Sequence, residues 1–299
     1  MEDSQWAYAF ASVRGSGHIR DELVCQDNCI VSHFKQYTIA VVSDGAGSCE
    51  HSAFGAHAVC EFSVFHLRNM IEKLNWVHDS LPHAKEWQSC AEEIIKMIRI
   101  DLERVASQQG WPLQSISCTV IIVVQLPLGL LVVHIGDGRA GYLNRNYEWL
   151  PLITPFKGEE ANETVFVTSN FWGENDISRF IRTKVVEDPA LAAYCLLTDG
   201  CEKSCFEVNL YNVEEDKYYD PNKPFAPFFD PNIQILKELV IQGKSQDEIN
   251  DMWSEFLNNG NPRLRQESDD KTLILAVRLE NNHTKPEGKT SHAEINIPT

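Results

Sequence analysis

Short runs of apolar, β-branched residues alternate along this chain with longer stretches in which apolar residues recur every three or four positions. The short runs have the length and composition of β-strands, and several are nearly continuous in hydrophobicity, as is typical of strands buried on both faces. The predicted strands cover residues 6–13, 29–32, 37–43, 117–126, 130–135, 139–143, 147–150, 164–167, 180–186, 191–198 and 272–279. Because short turns join many neighbouring strands, we expect antiparallel sheets.

The longer stretches predict amphipathic helices. In the clearest of them, the apolar positions from Trp87 to Val105 step by four, three, four, four and three residues, which matches one face of an α-helix. The predicted helices cover residues 52–74, 83–109, 233–241 and 246–257. Each presents one apolar face, so each must pack against another element.

Polar stretches interrupt this pattern and outline the domain. Residues 151–190 are rich in loops, and residues 206–232 combine acidic and aromatic side chains with several prolines, which predicts an irregular insertion. The end of the chain is polar and almost without large apolar residues. We therefore expect one domain over residues 1–281, with the insertion at about 206–232, and a tail at 282–299 without stable structure.

The composition indicates an acidic globular protein. The chain has 299 residues, 43% of them hydrophobic, and a formal net charge of −17. Such a charge argues against general binding to nucleic acid or to an anionic membrane. The first residues are acidic and precede no apolar core of signal-peptide length, and no apolar run reaches about 18 residues. We expect a soluble cytoplasmic protein with no nucleic-acid or membrane partner, and the sequence leaves its oligomeric state open.

The nine cysteines predict reduced thiols. Their number is odd, and the chain is too long to need a disulfide framework. The pairs Cys25/Cys29 and Cys201/Cys205 have a spacing of four residues, whereas zinc sites usually use a shorter Cys-x2-Cys spacing. Structural thiols are therefore favoured over a zinc site.

Aspartates follow or precede the apolar strands at four places. They are Asp44, Asp137, Asp199 and Asp269. Carboxylates that converge in a partly buried site need a cation, and clustered Asp oxygens favour a hard ion such as magnesium or manganese over zinc. Glycines next to three of these aspartates would let other backbone approach closely.

Hairpin turns offer an alternative explanation, because Asp-Gly is a common hairpin sequence. This alternative suits Asp137, where another predicted strand follows at once. It suits Asp44 and Asp199 less well, since a glycine-rich loop or a helix follows them. Spacing alone leaves both the shared metal site and the separate turns open.

Five motifs in order resemble the metal-dependent serine/threonine protein phosphatases of type 2C, in their bacterial-type branch. These motifs are Gln26-Asp27, Ser43-Asp44-Gly45, Gly136-Asp137-Gly138-Arg139, Thr198-Asp199-Gly200 and Asp269-Asp270-Lys271-Thr272. The resemblance spans roughly residues 7 to 280. It implies an α+β fold, a four-layer αββα sandwich in which helix pairs flank two antiparallel sheets and metals lie in a cleft at one edge.

The resemblance also implies a two-metal centre of Mg²⁺ or Mn²⁺, with a weaker third position. The implied ligands are Asp27, Asp44, Gly45, Asp137, Asp199 and Asp269. In this scheme Asp44 bridges two ions, and Asp199 and Asp269 complete one of them. The Gly45 carbonyl and, through water, Asp27 serve the other ion, while Asp137 with Asp199 forms the third position. A metal-bridged hydroxide would then attack phosphorus in line, without a phosphoenzyme.

Two positions depart from the family pattern. Many members carry an arginine where Glu22 stands, and some carry a histidine where Ala46 stands. Phosphate capture must therefore come from another residue. His18 is the first candidate for phosphate contact or leaving-group protonation, although a lone loop histidine is more often structural. The other basic candidates are Arg14, Arg20 and Lys203.

The leading hypothesis is a phosphatase that dephosphorylates phosphoserine and phosphothreonine in phosphorylated protein substrates. Asp44, Asp199, Asp269 and His18 are its predicted catalytic residues. One alternative is a pseudophosphatase, a binding module with little turnover, which the missing arginine and the acidic charge favour. Another is a hydrolase of small phosphate esters. The segment 206–232 is predicted to form a lid or docking flap, or else a small aromatic core.

Overall fold

The computed structural model of this protein describes residues 6–74, 76, 80–156, 164–174 and 176–279. In chain order, the strands are β1 (Trp6–Val13), β2 (Asn28–His33), β3 (Thr38–Ser43), β4 (Val120–Leu126), β5 (Gly129–Ile135), β6 (Arg139–Leu143), β7 (Trp149–Pro151), β8 (Arg182–Glu187), β9 (Ala193–Leu197), β10 (Phe206–Glu207), β11 (Leu210–Asn212), β12 (Lys217–Tyr219), β13 (Lys223–Pro224) and β14 (Lys271–Arg278). The α-helices are α1 (Ser16–Arg20), α2 (Ser52–Leu74), α3 (Ala84–Gln109), α4 (Glu202–Cys205), α5 (Ala226–Ile241), α6 (Gln246–Asn259) and α7 (Pro262–Gln266). Short 3-10 helices cover Leu113–Ile116 and Asp199–Cys201.

Ten of these strands form two antiparallel five-stranded sheets. Sheet 1 has the order β1-β14-β9-β6-β7, and sheet 2 has the order β2-β3-β4-β5-β8. In sheet 2, β4 and β5 are a hairpin whose register runs from Val120↔Ile135 to Leu126↔Gly129. In sheet 1, β14 pairs with β1 on one side and with β9 on the other, so the last strand of the described chain lies inside the sheet and not at its edge.

The alternation of side chains along the strands produces the layers. In β3, Ile39 and Val41 belong to the core beneath the helices, whereas Ala40 and Val42 belong to the core between the sheets. Because successive side chains of a strand point to opposite faces, a strand that is apolar at every position must be covered on both sides. The continuous hydrophobicity predicted for these strands is therefore the signature of the sandwich.

Helix pairs cover the outer face of each sheet. On sheet 2, the buried residues of α2 and α3, such as Leu67 and Trp87, pack against β3, β4 and β5. On sheet 1, buried residues of α5 and α6, such as Phe229 and Trp253, pack against β9 and β14. The Trp253 indole Nε1–H also donates to the Leu273 carbonyl oxygen at 2.9 Å. The predicted αββα sandwich is confirmed, and the two long helices lie at 52–74 and 84–109.

Three segment predictions are wrong. The polar sequence after the first strand predicts a loop from His18 to Asp27, but α1 covers its first three residues. The predicted strand 164–167 has no strand structure. Helix α1 spans only five residues, so no apolar period predicts it. Carbonyl groups that are distant in sequence accept its first N–H groups. Ser16 N donates to Glu267 O at 2.9 Å and Gly17 N to Ser268 O at 3.0 Å.

The apolar run 164–167 contributes to the core rather than to a ladder, since Val165 and Val167 are buried beneath α3 without a strand partner in the described chain. The interval 206–232 is also more regular than predicted. It holds β10 paired with β13, β11 paired with β12, and the first turns of α5. Pro227 lies in the first turn of α5, where a missing N–H costs nothing.

Three further expectations concern the cysteines, membrane-spanning helices and the end of the sequence. All nine cysteines are free thiols, as predicted. No helix among the described ranges has the length and apolarity needed to cross a bilayer. The predicted tail at 282–299 lies outside the described residues.

Candidate metal centre

Asp44 directly follows β3, and its backbone is held by the start of β4. The Asp44 N–H donates to Thr119 Oγ1 at 3.1 Å, and the Asp44 carbonyl accepts from the Thr119 N–H at 2.8 Å. The Ser43 hydroxyl also donates to the Thr119 carbonyl at 2.6 Å. Because neighbouring backbone and hydroxyl groups fix the main chain, the Asp44 carboxylate is left to face the edge of the sandwich.

Gly45 is required by packing. A Cβ atom at this position would lie 2.5 Å from the Gln26 carbonyl oxygen and 2.8 Å from that of Ser52. No side chain fits against two backbone oxygens at those distances. The absence of a side chain thus brings the Gln26-Asp27 segment next to the Asp44 loop.

The loop after β5 reaches the same edge. Gly136 has a φ of +115°, and a Cβ atom there would lie 2.6 Å from the Thr119 side chain. A Cβ atom at Gly138 would lie 2.7 Å from the Leu197 carbonyl oxygen. These close approaches set Asp137 between Thr119 on one side and the end of β9 on the other. Burial raises the pKa of Asp137.

Asp199 opens the 3-10 turn after β9 and lies against the start of β14. A Cβ atom at Gly200 would lie 1.9 Å from the Asp270 carbonyl oxygen, so only glycine allows this approach. Burial is the largest cause that raises the pKa of Asp199 to about 7, and the negative charges of Asp137 and Asp269 add to it. A hydrogen bond with the Asp44 side chain acts in the opposite direction.

Asp27 is buried at the meeting point of the two sheets. Its Oδ2 accepts hydrogen bonds from the Thr198 hydroxyl at 2.7 Å and from the Thr272 hydroxyl at 2.9 Å. Burial raises the pKa of Asp27 to about 8, although both hydroxyls oppose the shift. Thr198, directly after β9, and Thr272, in β14, therefore hold a carboxylate that precedes β2 of the other sheet.

The two aspartates before β14 have different environments. Asp269 is exposed, and its Oδ1 accepts the Asp270 N–H at 2.9 Å. Asp270 is buried and accepts the N–H groups of Gly15 at 2.9 Å and Gln26 at 2.6 Å. Its Oδ1 also lies 2.9 Å from Nδ1 of His18. Adjacent residues of an extended chain point in opposite directions, which explains why one carboxylate faces the edge and the other anchors the loops.

The five predicted aspartates converge. Burial is the largest cause that raises the pKa of Asp44 well above its usual value, and four carboxylates contribute further. They are Asp27, Asp199, Asp137 and Asp269. No three Asp, Glu, His or Cys side chains form a closed ligand set within the described part of the chain. The all-oxygen donors of this cluster suit a hard divalent ion, whose charge would offset the repulsion among the carboxylates.

His18 lies in α1 and not in a loop, and it contacts the cluster only through Asp270. The other basic candidates are engaged elsewhere. Arg14 donates to the Leu23 carbonyl, Arg20 to Asp21 and Lys203 to Glu267. Of these, Lys203 is within electrostatic range of Asp199, although its hydrogen bond with Glu267 is the main cause that raises its pKa.

The position of Arg139 after the Asp137 loop predicts either a charge-assisted bond that steadies this loop or a solvated side chain, and the structure shows a buried side chain with partners outside the loop. Its side chain is 2% exposed. Nε donates to Glu202 at 2.8 Å, Nη2 to Asp220 at 2.7 Å and Nη1 to Asn222 at 2.7 Å. The guanidinium thus joins the strand after Asp137 to the segment that contains β10 to β13. We call residues 206–224 the β10–β13 segment.

Sequence reasoning missed Thr119, Asp270, Glu202 and Asp220. Asp270 directly follows the predicted ligand Asp269, and this pair of adjacent acids was the one signal in the sequence for its role. The acids that bind Arg139 carry no sequence signal, because they are 63 and 81 residues away from it.

Comparison with known proteins adds to this geometry. The sequence profile of a family described as "Protein phosphatase 2C" matches residues 14–251. Serine/threonine-protein phosphatase 3 of Escherichia coli (strain K12) is 28% identical over 285 residues, which cover 92% of this chain and 99% of that protein.

Solved structures show the same fold. Serine/threonine phosphatase Stp1 from Staphylococcus aureus superposes with a TM-score of 0.54 at 14% identity, covering 94% of this chain and 98% of that one. Serine-threonine phosphatase 2C from Toxoplasma gondii superposes with a TM-score of 0.56 at 13% identity, covering 92% and 95%. At such low identity these two structures support the fold alone.

Proposed function

The chain belongs to the protein phosphatase 2C family, and on that premise we propose that it hydrolyses phosphoserine and phosphothreonine in proteins with the help of divalent magnesium or manganese. The single observation that carries the proposal is the convergence of Asp44 with four other carboxylates, whose charges raise its pKa. Such an edge repels a phosphate dianion unless cations are bound there.

Two ions, with a third at a weaker position, are proposed to bind at this edge. The residues proposed to hold them are Asp27, Asp44, the Gly45 carbonyl, Asp137, Asp199 and Asp269. When bound, the ions supply Lewis-acid charge that activates water and offsets charge developing on the phosphoryl oxygens. The threonines supply the framework: Thr119 holds the main chain of Asp44, and Thr198 and Thr272 hold the Asp27 carboxyl.

Phosphate capture is proposed to involve Lys203 and His18. Lys203 lies on α4 directly after the turn of Asp199, and its pKa is raised in part by Asp199 and Glu202. His18 is 16% exposed and has its Nδ1 next to Asp270, which would leave Nε2 for a phosphate oxygen or a leaving group. Asp270 acts here as a positioning residue, because it touches His18 and the two loops but not the substrate.

The protein substrate is proposed to lie in a groove beside Asp199 and Asp269. A cavity of about 680 Å³ opens between α4, the β10–β13 segment and α7, with Lys203, Leu210 and Ser268 among its lining residues. Beside it, the β11–β12 hairpin exposes Tyr211 and Tyr218. Exposed aromatic side chains next to an open groove suit contact with a peptide chain. This supports the flap role of the segment.

A small aromatic core accounts for the other rings of the same region. Phe206, Phe228 and Phe229 are buried between α5 and sheet 1. The two explanations offered for the aromatic residues of 206–232 thus apply to different parts of it. We propose that the domain ends with β14 and that the β10–β13 segment is its substrate-facing insertion.

Asp44→Asn tests the function. We expect turnover of phosphopeptides with millimolar manganese to fall at least about a hundredfold, together with a loss of Mn²⁺ affinity measured by calorimetry. Asp21→Asn is the matched control, because it removes the same charge from an exposed carboxyl that only binds Arg20. If wild-type protein hydrolysed neither an aryl phosphate nor phosphopeptides, the proposal would be wrong.

The pseudophosphatase remains a second candidate. The observation that favours it is Glu22, which is exposed with a φ of +56° at the position where many relatives carry arginine. A binding module would keep its affinity for phosphoprotein in Asp44→Asn and show no turnover in the wild type. A hydrolase of small phosphate esters would cleave sugar phosphates or nucleotides and leave phosphopeptides intact.

A further inference from the structure

A second cavity shares no lining residue with the one beside α4 and α7. Its volume is about 560 Å³, and it opens where the edge strand β8 of sheet 2 faces the chain that follows β7 of sheet 1. Residues 151–154, Gln88 of α3 and Ser178 complete its walls. None of the proposed ion ligands lines it.

Two cations of β8 line this cavity. Arg182 and Lys184 are two residues apart on one face of the strand. Arg182 Nη1 donates to the Thr154 carbonyl at 2.7 Å, and Lys184 Nζ donates to the Pro151 carbonyl at 2.8 Å. Each side chain also lies against an aromatic ring, Phe156 and Tyr142 respectively. These contacts orient both cations before any ligand binds.

Neither cation has a carboxylate within ion-pair distance among the residues described by the structure. Burial lowers the pKa of Lys184, so placing the charged ammonium here carries a desolvation cost. An anion bound between the two side chains would offset that cost.

Both cations keep donors for such an anion. An ammonium has three N–H groups and a guanidinium has five, and the carbonyls use only some of them. The neutral polar groups of the cavity are already engaged, since the Thr183 hydroxyl donates to Gln88 and the Ser178 hydroxyl to Asp176. Recognition therefore depends on the two charges. A planar arginine fork beside a lysine suits the tetrahedral phosphate group better than a single carboxylate.

We propose that this cavity is a second phosphate-binding site, which takes a phosphate monoester or inorganic phosphate between Arg182 and Lys184. It is connected to the carboxylate edge through the chain that Arg182 holds. That chain continues to Phe156, whose N–H donates to the Gly136 carbonyl at 2.8 Å, one residue before Asp137. Bound phosphate would thus stabilise the segment on which the Asp137 loop rests.

Titration of inorganic phosphate into metal-free protein tests the proposal. With EDTA present, the uncompensated carboxylates repel a dianion, so saturable binding reports on the second site. We expect ³¹P NMR or calorimetry to detect this binding, and the double variant Arg182→Gln/Lys184→Gln to weaken it by about tenfold or more. Arg179→Gln is the matched control. It removes the same charge from an exposed arginine that pairs with Glu174, and it should change affinity by less than about twofold.

A phosphoserine peptide, titrated under the same conditions, distinguishes the two sources of phosphate. Binding of the peptide but not of inorganic phosphate would support a phosphorylated residue as ligand, and binding of both would support free phosphate as well. Saturable binding of neither, or equal weakening in Arg179→Gln, would overturn the proposal. Lys184→Met, which keeps the stem over Tyr142, repeats the test if the double variant has a lower unfolding midpoint. Because no metal is present, a negative result leaves the proposed phosphatase activity untouched.

Discussion

Replacing Arg139 with glutamine would break the connection between the strand after Asp137 and the β10–β13 segment. The guanidinium is 2% exposed, and its carboxylate partners Glu202 and Asp220 are 23% and 14% exposed. Removing one partner of a buried ion pair typically costs about 3–5 kcal/mol. Because both carboxylates retain some access to water, we expect the lower end, a loss of about 3 kcal/mol in the free energy of unfolding.

Urea denaturation followed by tryptophan fluorescence measures this loss. Arg20→Gln is the matched control, since Arg20 donates to Asp21 with similar geometry but is 75% exposed. An exposed pair contributes about 0–1 kcal/mol, so the control should be nearly as stable as the wild type. The triple variant Arg139→Met/Glu202→Gln/Asp220→Asn should recover much of the stability, because no unpaired charge is left in the site.

A local readout separates this connection from general stability. Limited proteolysis under native conditions should cleave the β10–β13 segment of Arg139→Gln faster than that of the wild type, because Asp220 and Asn222 lose their anchor. The reasoning would be refuted if Arg139→Gln lost less than about 1 kcal/mol and showed no faster cleavage. In that case the segment would be held by its own packing.

Three further predictions concern other parts of the molecule. Gly200→Ala should lower the free energy of unfolding by about 2–4 kcal/mol, because its Cβ would meet the Asp270 carbonyl oxygen at 1.9 Å. Gly173→Ala, which has open space, should be neutral, and equal stabilities of the two variants would contradict the close approach. Burial, aided by Arg182, lowers the pKa of His134 to about 3. Because His134 stays neutral in the folded protein while the unfolded chain takes up a proton, its contribution to the free energy of unfolding is full above about pH 6.5 and is lost as the pH falls toward 3. His134→Leu should therefore lose less stability than the wild type over that window in urea titrations. Parallel stability curves for the two proteins would exclude this origin. Residues 210–219 can be replaced by two glycines, because Leu210 pairs with Tyr219 and the ends of the segment are therefore close. This change should reduce turnover of phosphoproteins more than turnover of an aryl phosphate. Equal reductions would show that the segment is not a substrate flap.

The regular elements were largely predictable because burial imposes periodicity. β3 to β5 are apolar at nearly every position since each is covered by a helix layer on one side and by a sheet on the other. The long helices α2 and α3 show their buried face at every third or fourth residue. Helix α1 and the strands of the β10–β13 segment were not predictable. They are too short for a period, and distant backbone groups and Arg139 hold them in place.

The carboxylates of the site were also predictable, because each stands next to a glycine or a strand end. What pattern and resemblance did not reveal is how they are supported. Thr119 holds the Asp44 loop and packs under Gly136, and Asp270 gathers Gly15, Gln26 and His18. These contacts join residues that are far apart in the chain, so only the tertiary structure reveals them.

The place of β14 in sheet 1 also affects when the protein becomes competent during synthesis. β1 and β9 do not pair with each other, because β14 lies between them, so both present open edges until the ribosome has released β14. Asp269 and Asp270 emerge together with this strand. A nascent chain that contains every other strand therefore still lacks the strand that joins β1 to β9, and it lacks Asp270, which anchors the loops. The carboxylate edge can therefore form only after β14 has left the ribosome. Until then the nascent chain lacks the complete set of carboxylates at which the metal ions are proposed to bind.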